Sequence, residues 1–352
     1  RDTSRMPKIF HQLLLLCLAG LLTGCGSFSY YIDAINGHAE ILNNQRPVSE
    51  VIDSPETPES VRNALRNFQE ARRYAVEKLY LPDNDSYHYY TDIKRDYAVW
   101  NVVATPEFSV EPEQWCFIFA GCFNYQGFFT EQQAKQFANK LNHQGYDTYV
   151  AGSRAYSTLG WFDDPLLNTM LLQNEASRIG ILFHELAHQK LYLDNDPAFS
   201  EAFAVFIEQE GVSRWLAARV ESDALKQYQQ TLQRRSQFHS LLLATRNSLD
   251  RLYKSDLSES SKRERKNQLF EQLKLDYAKL KTGWGGYAGY DKWMGQALNN
   301  AHLALVATYR EQVDNFQSLL TRLNGDLPAF YQEVERIAAL PLKERHEALV
   351  RQ

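Results

Sequence analysis

The feature that most constrains this chain is a pair of histidines inside an apolar segment with helical character. His184 and His188 are four residues apart in Ile179-Gly-Ile-Leu-Phe-His-Glu-Leu-Ala-His-Gln189, and Glu185 follows the first of them. Residues i and i+4 project from one face of a helix, so both imidazoles can bind one metal ion. The alternative is a helix that carries the histidines incidentally. Burying two histidines and a glutamate is costly without a metal ion or hydrogen-bond partners, which favours the metal site.

A catalytic zinc ion needs a third protein ligand and an open position, and the next predicted helix offers two glutamates. Glu201 lies 13 residues beyond His188 and Glu208 lies 20 residues beyond it. Because they are seven residues apart, they share a helix face, so one can bind the ion while the other orients a histidine. The alternative is that both are solvated helix carboxylates, although Phe199, Phe203 and Phe206 predict a largely buried helix.

Four segments of the chain resemble a bacterial family described as putative zinc aminopeptidases, many of them lipoproteins. They are Ala155–Pro165, His184–Gln189, Phe199–Ala204 and Asn299–Leu303. Around Glu201, Ser-Glu-Ala-Phe-Ala is similar to the Asn-Glu-Gly-Phe-Ala segment that supplies the metal-binding glutamate in zinc aminopeptidases, whereas the spacing of Glu208 is similar to that of thermolysin. We favour Glu201 as the ligand, with Glu208 as the supporting or alternative one.

The resemblance implies an α+β, mainly α-helical, gluzincin-like metallopeptidase with a small β-sheet packed on the active-site helix. It implies one zinc ion per chain, bound by His184, His188 and Glu201. Glu185 would be the general base that acts on a metal-activated water. The chain departs from the well-studied zinc aminopeptidases in one respect, because their Gly-x-Met-Glu-Asn segment is absent and Gly152–Gly160 takes its place.

Further site residues are expected around this centre. A strand in Gly152–Gly160 could bind a peptide by strand addition, which makes Tyr156, Ser157 and Thr158 candidate substrate-binding residues. A hydrogen-bond donor should also stabilise the oxyanion, and we favour Tyr309 over His302 and Tyr156. Asp163 and Asp164 could either receive a substrate amine or form a turn and helix cap before Pro165.

The N-terminal segment indicates export. Basic residues precede the uncharged run Leu13–Leu22, which is too short to span a bilayer as a helix. The following Leu22-Thr-Gly-Cys-Gly26 resembles a bacterial lipobox, which implies a signal peptide at residues 1–24 and lipidation of Cys25. Gly26 implies an outer-membrane protein that faces the periplasm of the bacterial cell envelope. An ordinary secretory signal and a buried first helix are the alternatives.

The remaining cysteines depend on that compartment. Cys116 and Cys122 lie six residues apart and flank a predicted strand and turn, so an exported chain could form a disulfide between them. Two buried free thiols are the alternative. The formal charge of −5 gives no reason to expect a nucleic-acid partner, and an aromatic content of 13% argues against disorder.

The rest of the chain, residues 25–352, is predicted to form one domain. A sheet region is expected at about 87–160, and a helical zinc-binding and C-terminal region at about 166–352. Apolar spacing and turn residues predict helices at 31–46, 57–80 and 130–142, and strands at 97–103, 116–119 and 146–151. Residues 255–282 are rich in Lys, Arg, Glu, Ser and Gln, which predicts a long solvated helix or a hairpin.

These observations predict zinc-dependent hydrolysis of peptide bonds in the bacterial cell envelope, of an aminopeptidase-like kind, with a peptide substrate and a lipid anchor. Two alternatives stay open. The chain could be a non-catalytic envelope lipoprotein that uses the zinc fold as a binding scaffold, or a hydrolase of peptidoglycan peptides.

Overall fold

The computed structural model describes residues 25–117, 121–156, 163–306 and 310–350. Helices make up 63% of the structure, and the strands form small sheets. The prediction of a mainly α-helical α+β protein is therefore confirmed. The predicted signal peptide at residues 1–24 lies outside the described residues.

The N-terminal half contains short strands between helices. In chain order its elements are α1 (Cys25–Asn43), β1 (Arg46–Pro47), α2 (Val48–Asp53), α3 (Glu59–Leu79), β2 (Tyr89–Thr91), β3 (Val99–Pro106), β4 (Trp115–Phe117), β5 (Gly121–Phe123), β6 (Gln126–Phe128), α4 (Glu131–His143) and β7 (Tyr146–Ser153).

The C-terminal half is helical apart from one short strand. Its elements are β8 (Leu166–Leu167), α5 (Asn168–Leu171), α6 (Glu175–Lys190), α7 (Pro197–Ala218), α8 (Ser222–Tyr253), α9 (Glu259–Gly283), α10 (Asp291–Met294), α11 (Asn300–Ala304), α12 (Arg310–Arg322), α13 (Leu327–Ala338) and α14 (Leu342–Val350).

Local sequence signals account for several of these boundaries. Thr130 was predicted to begin a helix, and its hydroxyl accepts a hydrogen bond from the Gln133 amide at 3.3 Å, which is an N-cap. Helix α3 begins at Glu59, directly after Pro58, close to the predicted 57–80. The helix predicted at 255–282 is α9, although Phe270, Leu273 and Tyr277 are buried, so it is less solvated than its composition suggested.

The larger sheet packs on helices that carry none of the predicted metal ligands. Its order is β6-β3-β7, with antiparallel pairing from Val99 opposite Ser153 to Pro106 opposite Tyr146. This sheet packs against α4 and α11. The β-structure that shares a core with α6 is instead the short sheet β1-β2-β8, through Tyr90 and Leu166.

A two-stranded hairpin carries the cysteine pair. Strands β4 and β5 are antiparallel, with Cys116 opposite Cys122, and a disulfide joins the two residues. The residues that connect the strands, 118–120, lie outside the described part of the chain.

Helices α6 and α7 form the centre of the main hydrophobic core. They pack closely against each other, while α3 contacts α6 and α12 contacts α7. Phe203 of α7 contacts the rings of Phe316 in α12 and Phe330 in α13. Helices α8 and α9 form a second cluster around Phe238 and Phe270. Within the described ranges, no helix is both long enough and apolar enough to cross a membrane.

Candidate metal centre

His184 and His188 lie on one face of helix α6, and the opposite face of this helix is buried. The helix begins at Glu175, where the Asn174 side chain accepts a hydrogen bond from the Ser177 amide at 3.0 Å. Ile179, Leu182 and Leu186 are each 0% exposed, so packing fixes the rotation of the helix about its axis. The histidine face is therefore held towards α7.

Helix α7 is fixed at its first turn by a buried ion pair. The Asp196 carboxylate accepts a hydrogen bond from the Phe199 amide at 3.1 Å and another from Arg345 Nη1 at 2.8 Å. Pro197 occupies the first helical position, where a missing amide hydrogen costs nothing. This start brings Glu201 and, two turns later, Glu208 to the side of α7 that faces α6.

The side chains of His184, His188 and Glu201 converge on one point. The Nε2 atoms of the two histidines are 3.1 Å apart. Glu201 Oε2 lies 3.6 Å from His184 Nε2, and Glu201 Oε1 lies 3.4 Å from His188 Nε2. The His188 side chain is 4% exposed and that of Glu201 is 35% exposed, so the group is enclosed on one side and open on the other.

The structure places the two candidate glutamates at different edges of His184. Glu208 Oε2 lies 3.5 Å from Nδ1 of His184, on the opposite edge of the imidazole from Nε2. Its other oxygen lies 3.2 Å from Arg235 Nη1. Glu201 therefore lies with the two Nε2 atoms, whereas Glu208 contacts His184 at its Nδ1 edge.

The charges of the site show how strongly these groups act on one another. Burial alone would lower the pKa of His184, but the carboxylates of Glu201 and Glu208 outweigh burial and raise that pKa well above its usual value. Burial would raise the pKa of each of these two carboxyl groups, yet their hydrogen bonds to the histidines and, for Glu208, the charge of Arg235 lower it. Each imidazole is thus held beside an ionised carboxylate.

This donor set fits a divalent metal ion. Two imidazole nitrogens and one carboxylate oxygen lie within 4.8 Å of one another, and this combination of ligands is typical of catalytic zinc sites, which keep a further position open. Glu208 and Glu185 add two further carboxylates, and Arg235 is the cation paired with Glu208 in the described part of the chain. The surplus of negative charge favours a cation between the side chains.

Burial has the largest effect on the ionisation of Glu185. Burial raises the pKa of this carboxyl group, and the nearby His184 and His188 oppose that effect only in part. The charge of Glu185 in turn contributes, after burial, to a pKa of Tyr87 well above its usual value. Tyr87 is 1% exposed, and its hydroxyl has no hydrogen-bond partner among the described residues. A buried phenol thus interacts electrostatically with the predicted general base.

Sequence reasoning missed Tyr87 because long-range contacts bring it to the site. The loop before it is bound to α6 through Gln189, whose Oε1 accepts from Asn84 Nδ2 at 2.7 Å and whose Nε2 donates to Ser86 Oγ at 3.1 Å. The Tyr87 amide donates to the Asp164 carbonyl at 2.7 Å. Of the signals in the sequence, only the polar run Asp83–Ser86 marks this loop, and it indicates a turn rather than a site.

The other predicted residues have varied positions. Tyr156 contacts His38 Nδ1 through its hydroxyl at 3.2 Å, and burial, with a smaller contribution from Asp164, raises its pKa to about 12. His302 accepts a hydrogen bond from the Asn299 amide at 3.2 Å in a capping box, which is a structural role. Ser157, Thr158 and Tyr309 lie outside the described residues, and Cys25 is the first residue of α1.

Comparison with known proteins gives one match. A protein-family model described as "Putative aminopeptidase" matches residues 29–349, which include every residue of the metal centre. No curated protein and no solved structure matches the chain.

Proposed function

Because the chain belongs to the putative aminopeptidase family, we propose that it is a zinc-dependent peptidase that removes residues from the N-terminal end of peptides. The observation that carries this proposal is the convergence of His184, His188 and Glu201, with Glu185 one residue after the first histidine. Two histidines of one helix and a glutamate of the next are the ligand arrangement of gluzincin-type peptidases, and the same arrangement supports that fold type here.

The roles of the residues follow from their positions. His184, His188 and Glu201 would hold the zinc ion, which, when bound, polarises the scissile carbonyl and lowers the pKa of water. Glu185 accepts the proton of the attacking water and later passes it to the leaving amine. The raised pKa of Glu185, caused first by its burial, suits a group that must hold that proton between the two steps.

The proposed setting is the bacterial cell envelope, with the chain held by a lipid on Cys25. The disulfide between Cys116 and Cys122 supports an oxidising compartment. Mass spectrometry of the membrane fraction should find a lipidated N-terminus at Cys25 in the wild type and none in a Cys25→Ala variant. An unmodified N-terminus in the wild type would contradict the anchor without affecting the proposed chemistry.

The decisive experiment is digestion of a peptide library in which each peptide is present with a free and with an acetylated N-terminus. We expect cleavage of the free peptides by the zinc-loaded wild type and none by Glu185→Gln, because the amide cannot accept the proton. Glu335→Gln, an exposed change in α13, is the matched control and should retain full activity.

Zinc content measured on the same samples separates the outcomes. Glu185→Gln should retain one zinc ion per chain, because Glu185 is not in the ligand set. Cleavage by zinc-loaded Glu185→Gln would refute the mechanism. Equal cleavage of free and acetylated peptides would refute the aminopeptidase specificity, and a wild type that binds no zinc would refute the proposal as a whole.

A further inference from the structure

A third helix, α8, contacts the metal centre through Glu208. Arg235, in the middle of α8, places Nη1 3.2 Å from Glu208 Oε1, and the other oxygen of Glu208 lies 3.5 Å from His184 Nδ1. Arg235, Glu208 and His184 therefore form a continuous line of contacts through α8, α7 and α6. The line ends on the imidazole edge that faces away from the converging nitrogens.

Helix α6 makes room for this line at Gly180. A Cβ atom at Gly180 would lie 3.1 Å from Glu208 Cγ and 3.4 Å from Glu208 Oε1, and these are among its nearest neighbours. Glycine inside a helix lowers its stability by about 1 kcal/mol relative to alanine. At Gly180 the absence of a side chain leaves space into which Glu208 packs. The Glu208 carboxylate thus contacts a cation of α8 on one side and packs against a glycine of α6 on another.

The contact between Arg235 and Glu208 lies beside a buried aromatic residue. Tyr228, two turns before Arg235 on α8, is 7% exposed, and its hydroxyl has no hydrogen-bond partner in the described part of the chain. Burial is the main cause of the raised pKa of Tyr228, and the charge of Glu208 adds to it. The Glu208 side chain itself is only 18% exposed. A carboxylate in such surroundings interacts more strongly with its partners than one in open solvent.

We propose that Arg235 is a positioning residue for the metal centre. It holds the Glu208 carboxylate beside Nδ1 of His184, 3.5 Å away, where the carboxylate can accept the Nδ1 hydrogen and leave the Nε2 lone pair directed to the metal ion. Partners of this kind set the tautomer and orientation of a metal-binding histidine, and their removal typically weakens metal binding 10- to 100-fold. The inference rests on the proposed zinc site and extends it to a residue of α8.

The test is the zinc affinity of the full-length protein, measured by competition with a chelator. We expect Arg235→Met to weaken binding about tenfold. Arg235→Lys keeps a cation near Glu208 and should recover part of the loss. The matched control is Arg234→Met, because Arg234 lies over the ring of Tyr287, 4.4 Å from its centroid, and forms no part of the line. It should bind zinc as tightly as the wild type.

A double-mutant cycle shows whether Arg235 acts through Glu208. If it does, the variant with both Arg235→Met and Glu208→Gln should bind zinc no more weakly than Glu208→Gln alone. Visible absorption of the cobalt-substituted protein provides a second readout, because a reoriented His184 changes the ligand geometry. We expect Arg235→Met and Glu208→Gln to change the spectrum in the same way and Arg234→Met to leave it unchanged.

Gly180→Ala keeps the inference falsifiable if Arg235→Met folds poorly. Alanine favours the helix more than glycine does, yet its Cβ would lie 3.1 Å from Glu208 Cγ, so the Glu208 side chain has to shift slightly and zinc affinity should fall in a well-folded protein. Wild-type zinc affinity in both Arg235→Met and Gly180→Ala, or additive losses in the cycle, would overturn the inference. A wild type that binds no zinc would instead overturn the proposed function on which it rests.

Discussion

The buried ion pair at the start of α7 allows a quantitative test of how this fold supports Glu201. The Asp196 and Arg345 side chains are 3% and 4% exposed, and Asp196 Oδ2 also lies 2.9 Å from His346 Nε2. The other oxygen of Asp196 caps α7 through the Phe199 amide. Replacement of Asp196 by alanine therefore removes a helix cap and leaves the guanidinium of Arg345 buried without its anionic partner.

The expected loss follows from these two contributions. Breaking a buried ion pair by removing one partner costs about 3 to 5 kcal/mol, and loss of an N-cap costs about 1 kcal/mol. We expect Asp196→Ala to lower the free energy of unfolding by about 4 to 6 kcal/mol, a large part of the roughly 5 to 15 kcal/mol typical of a domain. Asp196→Asn retains an oxygen for the cap and should lose about 1 kcal/mol less.

The measurement is urea unfolding followed by circular dichroism. Combining Asp196→Ala with Arg345→Met should recover most of the loss, because a buried pair replaced on both sides leaves no uncompensated charge. A loss below about 1 kcal/mol for Asp196→Ala would refute this reasoning. A double variant whose loss equals the sum of the two single losses would refute it equally.

Three further predictions concern the ligand set, a buried histidine and the disulfide. Glu201→Gln should lose zinc from the purified protein while Glu208→Gln retains a weaker site, and metal analysis after dialysis would contradict this if the two variants behaved alike. Burial lowers the pKa of His302 to about 4, so between about pH 7 and pH 4 the unfolded chain binds a proton that the folded chain does not. The free energy of unfolding should therefore fall by about 3 kcal/mol as the pH drops from about 7 to about 4. Urea unfolding of His302→Gln at the two pH values should show a smaller difference. Reduction of the Cys116–Cys122 disulfide should cost at most about 2 kcal/mol, because it closes a short loop, and a Cys116→Ser, Cys122→Ser variant should then be insensitive to reductant.

Local spacing accounts for the part of the site that could be predicted. His184 and His188 needed only the i, i+4 geometry of a helix, and the seven-residue interval placed Glu201 and Glu208 on one face of the next helix. Thr130 marked a helix start for an equally local reason, since a short polar side chain can accept from the first free amides. Each of these inferences depended on residues within two helical turns of one another.

Contacts between distant segments account for what could not be predicted. Arg235 is one of several cations along α8, and its neighbour Arg234 lies over Tyr287, so only the packing of α8 on α7 distinguishes them. Tyr87 reaches the site through a loop bound to Gln189, and a single sequence contains no pattern for such a contact. The position of the larger sheet depended in the same way on which helices it packs against.

The rise of a helix explains why two glutamates on one helix face take different positions around His184. Seven residues correspond to roughly 10.5 Å along the α7 axis, so Glu201 and Glu208 cannot both reach the same nitrogen of one imidazole. The ring of His184 lies between them, with Nε2 3.6 Å from Glu201 Oε2 and Nδ1 3.5 Å from Glu208 Oε2. Only the Nε2 edge also faces His188, at 3.1 Å, so a metal ion shared by both histidines must lie on the side of Glu201. The same two-turn interval that places both glutamates on one helix face therefore makes them unequal around a single histidine.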